Sequence, residues 1–159
     1  MNTPLKKPDH RQSALRALTA FDSLPHDHKT FRIADGSSAP HLKVNEFAVI
    51  DTTDRELQKG ELYLIQYESG ERNRHIVQIR TGYIGVGESN RQQLVWWVSD
   101  LAGFRRTDET DIGGVPVFAG LSDGPYSPRH LKKKLLGRVV GYAEAALGGY
   151  LEPCAGWAD

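Results

Sequence analysis

The feature that most limits what this chain can become is a succession of short β-forming runs, each closed by turn residues, from Phe31 to Ala143. Glu46 to Asp51 contains Phe-Ala-Val-Ile, and Glu61 to Tyr67 reads Glu-Leu-Tyr-Leu-Ile-Gln-Tyr. Both are rich in the branched and aromatic residues that fit a pleated surface. Ser69-Gly70-Glu71-Arg72 marks a turn, and His75 to Thr81 alternates Val77 and Ile79 against Gln78 and Arg80, which predicts a hairpin. Gln93 to Val98 predicts a further strand with Trp96 and Trp97 on opposite faces, because side chains alternate along a strand. Val115 to Ala119 predicts another, placed at an edge or an end by Pro116, and Gly137 to Ala143 a last one. Helix is sparse. Leu15, Leu18 and Phe21 at helical spacing predict a short amphipathic helix over Gln12 to Phe21, and Ser127-Pro128 caps a second over Arg129 to Leu135. The expectation is a mainly β fold with a short N-terminal helix.

Size and charge narrow the reading. With 159 residues the chain suits one core, and twenty Lys and Arg against twenty Asp and Glu leave no global field for a phosphate backbone or an acidic membrane surface. Nucleic acid therefore gains no support from composition. Cys154, the single cysteine, offers no internal disulfide and no zinc or redox pair, so a reducing cytoplasm is expected. The first thirty residues hold Lys6, Lys7, Asp9, Arg11 and Arg16 with no apolar run of signal-peptide length, and no later stretch approaches a membrane span. Residues 1–30 are read as a lead-in carrying the short helix, and 31–159 as the β domain.

Read as one string, Phe31 to Asp51 runs Phe-Arg-Ile-Ala-Asp-Gly-Ser-Ser-Ala-Pro-His-Leu-Lys-Val-Asn-Glu-Phe-Ala-Val-Ile-Asp. It resembles, without a gap, the serine-centred motif of the LexA, phage-repressor and signal-peptidase-like families. In that register Ser37 falls on the nucleophile, Pro40 on the motif's proline, Leu42 on the hydrophobic residue after it, and Asn45-Glu46 on the Gly-Asp turn. Asp35-Gly36 inverts the usual Gly-Asp, and Ser38 stands where methionine is usual. Gln58-Lys59-Gly60-Glu61 then opens a second strand, Ile76 to Arg80 stands where the family's lysine strand should be, and Leu136 to Gly141 is similar to its closing strand. The resemblance covers 31–82 and 135–143. It implies a β-clip type barrel of short strands, neighbouring strands over 31–81, and a homodimer paired through the closing strands.

The same resemblance also shows what is missing. A serine hydroxyl needs a base within hydrogen-bond reach, and in this family a buried neutral lysine serves. The aligned residue here is Gln78, whose carboxamide takes up no proton at any useful pH, and no lysine occurs between Lys59 and Lys132. Arg74 and Arg80 stay protonated. No Ala-Gly pair precedes Ser37 as a self-cleavage target, and thirty residues are too few for a helix-turn-helix domain. His75 is the alternative base, since imidazole titrates near neutrality, but it lies three positions before Gln78, on the opposite face of a regular strand.

The expectation is thus a catalytically inactive peptidase-like module that binds an unidentified protein or peptide, with no cofactor and no metal. An active hydrolase using Ser37 with His75, and an unrelated β-barrel binding domain, stand as alternatives. Ser37 in Asp-Gly-Ser-Ser also reads as a plain turn residue, and Gln78 as a solvated strand residue or a structural partner of Ser37. His26-Asp27-His28 has metal-ligand residue types without a third anchored ligand, and Gly85 to Ser89 lacks the lysine of a phosphate loop and reads as a turn. Trp96 and Trp97 read as core or interface residues, Lys132 to Lys134 as a wet helix face, and Arg105-Arg106 as an anion contact without further support.

Overall fold

A computed structural model describes residues 18–69, 71–89, 91–101, 105–151 and 154–155. In chain order its strands are β1 (Thr19–Ala20), β2 (His28–Arg32), β3 (Phe47–Asp51), β4 (Leu62–Ser69), β5 (Glu71–Val86) and β6 (Arg91–Ser99). They continue as β7 (Arg105–Thr110), β8 (Pro116–Ala119), β9 (Ser122–Tyr126), helix α1 (Pro128–Lys134), β10 (Leu135–Ala143), β11 (Tyr150–Leu151) and β12 (Cys154–Ala155). The fold is mainly β, as its sequence requires.

One mostly antiparallel sheet runs β11-β2-β3-β10-β4-β5-β6-β9, with β1 on β10 and β12 on β5, while β7 and β8 pair apart from it. The C-terminal segment contributes to both sides of this run, β11 on β2 and β12 on β5. The strands over 31–81 are not one run of neighbours as expected: β2 pairs with β3 and β4 with β5, but β10 lies between β3 and β4. Two glycines allow that insertion. A Cβ on Gly137 would overlap the Asp51 carbonyl oxygen of β3, and one on Gly141 would overlap the Thr19 carbonyl oxygen of β1. Glycine alone lets the backbones approach so closely. β10 pairs with β3 over Arg138–Ala143, with β4 over Leu135–Arg138 and with β1 at Gly141 and Tyr142.

Alternation gives the sheet two buried faces. Leu62 and Leu64 of β4 and Ile76 of β5 join Phe31, Ile33, Leu42, Ala48, Ile50 and Val139 in one core. Tyr63 and Ile65 of the same β4, with Val77, Ile79, Val98, Tyr126, Leu131 and Leu135, make the other. A strand apolar on both faces must be covered on both. Helix α1 supplies the second cover, starting at Ser127, whose hydroxyl accepts from the His130 amide at 3.3 Å, with proline in its first turn.

The helix expected over 12–21 falls largely outside the described residues, but its last part is strand: Thr19 and Ala20 pair in parallel with Gly141 and Tyr142. The apolar spacing there is satisfied by the sheet edge, with Leu18 packed on the first core. The sheet also begins before residue 31, since β2 starts at His28. β5 runs past Thr81 to Val86, and only residues 87–89 of the glycine-containing segment form the turn.

Candidate functional site

The loop from Ile33 to Glu46 is folded by its own polar residues. The Asp35 carboxylate accepts from the Ser37 amide at 2.9 Å, capping a single 3₁₀ turn over Gly36–Ser38. The Ala39 amide then bonds the Gly36 carbonyl and the Leu42 amide the Ser38 carbonyl, both at 3.1 Å. Ser38 and Leu42 are buried, so the turn is nailed to the first core on the side away from Ser37. At the far end Asn45 adopts a left-handed φ of 72°, where the resemblance has glycine, and Asn tolerates that region better than most residues. Its amide bonds the Ile33 carbonyl at 2.8 Å and its side chain accepts from Arg32 at 2.8 Å, which closes the loop.

Ser37 is fixed from two directions: its amide donates to the Asp35 carboxylate at 2.9 Å, and its carbonyl accepts from the Leu101 amide at 3.1 Å. Interaction with the Ser37 side chain, and then with its amide, holds the Asp35 carboxyl below the usual carboxylate range against the opposing effect of burial, and the His75 imidazole adds to the shift.

The turn packs against β5. Between them lies a groove of about 200 Å³ lined on one side by Phe31 to Asp35 with Ser37 and Ser38, and on the other by Asn73 to Ile76. That volume is too small for a drug-sized ligand and suits a side chain or two of an extended peptide.

Ser37 and His75 therefore line the same groove, and Gln78 is not part of it. Gln78 pairs with Leu62 across the β4–β5 ladder and donates its amide to the Gly60 carbonyl at 3.1 Å. It makes no structural pair with Ser37 among the described hydrogen bonds. His75 is exposed, its ring centroid 6.0 Å from that of Tyr67. Sequence reasoning missed Asp35, noticing only its inverted order with Gly36. The signal was present as Asp-x-Ser, the spacing at which a carboxylate caps the amide two residues on.

The remaining motifs resolve as structure. His28 Nδ1 contacts the His26 carbonyl at 2.7 Å and His26 pairs with Asp27 at 2.8 Å; no group of three metal-ligand side chains occurs among the described residues. The lysine run is not a uniformly wet face. Lys132 pairs with Glu56 at 2.9 Å, and Lys134 lies 5.5 Å from the Tyr67 ring centroid and 5.9 Å from that of Tyr126. Burial, together with the nearby Asp123, raises the titration of both phenols. Trp96 packs on the second core, while Trp97 lies over Gly82 and Gly124 on the other face. Arg105-Arg106 falls in β7, outside the residues whose side chains are described. No helix is long and apolar enough to cross a membrane among the described residues.

No family model, no curated protein and no solved structure matches this chain.

Proposed function

We propose that the chain is a LexA- and signal-peptidase-like domain that keeps the serine-centred loop and its groove but uses them to hold an extended peptide rather than to cut it. The observation that carries this reading is the absence of the family's base at Ser37: its amide is committed to Asp35, and the residue at the lysine position, Gln78, does not line the groove that Ser37 lines. A nucleophile needs its proton aimed at a base able to accept it near neutral pH. Gln78, on the strand where the family has lysine, spends its amide on Gly60 and has no basic nitrogen to offer. Support for the family reading comes from the loop itself, with the left-handed Asn45 at the turn, Leu42 buried after Pro40, and β3 following at once.

A second reading is favoured by one specific observation, that His75 shares the groove with Ser37 and lies near Asp35. In that hydrolase the Ser37 hydroxyl gives its proton to the imidazole as it attacks. Intact mass of wild type and Ser37→Ala, followed for days from pH 7 to 10, separates the two for self-cleavage. The binding module predicts that both chains stay whole. Fragments from wild type alone would overturn it in favour of the Ser37 and His75 pair.

A further inference from the structure

Arg32, the last residue of β2, belongs to two concavities at once. It lines the Ser37 groove beside Phe31 and Ile33, and it lines a second, open depression with Asn45, Phe47 and Ala146. Phe47 is its partner across the β2–β3 ladder, so the two side chains stand on one face of the sheet. The guanidinium is held but not neutralised. It donates to the Asn45 Oδ1 at 2.8 Å, a neutral acceptor, and no ion pair includes it among the described residues. Both acids of the loop from Ile33 to Glu46 are engaged elsewhere, Glu46 accepting from the Lys43 amide at 2.8 Å and Asp35 from the Ser37 amide at 2.9 Å. Asn45 also holds a left-handed φ of 72°, which glycine would adopt at less cost, and the side chain that glycine lacks is the one that orients Arg32.

We infer that Arg32 determines which peptides the site accepts: the extended peptide held in the Ser37 groove carries one acidic side chain, Asp or Glu, that enters the open depression and pairs with the Arg32 guanidinium. The inference rests on the peptide-binding reading above and names the chemistry of its partner. Charge complementarity carries it. A guanidinium presents a planar fork of donors that matches a carboxylate, and a single bond to a neutral amide oxygen leaves both the charge and most of the fork to a ligand. The Asp35 carboxylate lines the same groove and repels an acid placed against it, so one acid is favoured beside Arg32 and a second beside Asp35 is not. Because Arg32 is exposed, the pair selects among peptides rather than supplying most of the affinity, and a difference of about fivefold between an acid and its amide is expected.

The test uses the full chain and a displayed library of extended peptides, selected on wild type and counter-selected on Ala34→Trp, which fills the groove. The binders should share one Asp or Glu. A fluorescent synthetic binder should lose about fivefold in affinity by anisotropy when that residue is replaced by its amide, and the difference should shrink between about 0.05 M and about 0.5 M salt. Arg32→Gln should bind the acidic peptide and its amide version equally, and Arg32→Glu should prefer a version with lysine at that position. The salt comparison is made on wild type and decides the matter even if a variant fails to fold. Groove-dependent binders with no shared acid, an advantage of the acid that survives high salt or Arg32→Gln, or a preference met only by a C-terminal carboxylate each overturn the inference and leave the peptide-binding reading intact. No groove-dependent binder at all overturns both.

Discussion

The strands packed beside β10 and the arm formed by the far ends of β5 and β6 are built from the same kind of sequence and meet opposite fates. β10 alternates buried and half-buried along its whole length and touches strands on both edges. Beyond Ile79, which still bonds Gly60 and Glu61, β5 continues only against β6 among the described residues, and β9 covers β6 only from Trp96 onward. Tyr83 is 69% exposed there, Leu94 46% and Val86 44%, although they pattern as well as any core strand. The difference shows that β propensity alone confers no burial; enclosure does, and here it depends on glycines that let a third and fourth backbone approach. A two-stranded ribbon without such neighbours is marginal by itself.

That contrast breaks most readily at β10. Gly141→Val drives a branched side chain into the Thr19 carbonyl and the Phe21 ring, and should cost more than about 4 kcal/mol, leaving little folded protein by circular dichroism. Leu64→Ala, in the fully buried middle of β4, should cost about 3 kcal/mol in urea unfolding. Ser127→Ala, which uncaps the helix covering the second core, should cost about 1 kcal/mol. On the arm, Tyr83→Ser and Leu94→Ser should each change stability by no more than about 0.5 kcal/mol; a larger loss would mean the arm is part of the cooperative unit. The smallest effect belongs to the site. Ser37→Ala should move the Asp35 titration, read by NMR, upward toward its ordinary value, because the hydroxyl is the largest cause of its depression. A depressed carboxyl stabilises the fold above its unfolded pKa and loses that contribution as pH falls through the folded value. The wild-type advantage from this bond should thus be present at pH 7 and vanish in strong acid.

What the sequence disclosed follows the same division. The runs at Phe47–Asp51 and Leu62–Ser69 and the capped helix at Pro128 were legible because their signals are local: alternation, branched residues, a capping serine before proline. The length of β5 was not, since the alternation was followed only to Thr81 and Gly85 to Ser89 reads as a turn, whereas Gly82 leaves room for the Trp97 ring across the ladder and the strand continues to Val86. Thr19 and Ala20 sit at helical spacing with their apolar neighbours and become strand only because Gly141 accepts them. In the site, Ser37 was found by motif, but the geometry that brings His75 rather than Gln78 to it depends on where β6 leaves the sheet and the Leu101 amide meets the Ser37 carbonyl. The two-residue pairings of β11 and β12 have no local signature at all, being set by the strands they join.

The most direct test of the central claim is labelling of Ser37 with a serine-directed fluorophosphonate, measured by intact mass on wild type, Ser37→Ala and His75→Ala at pH 8. A Ser37 without a working base predicts no adduct on any of the three chains. An adduct on wild type that disappears in both variants would contradict the account and establish a working Ser37 and His75 pair.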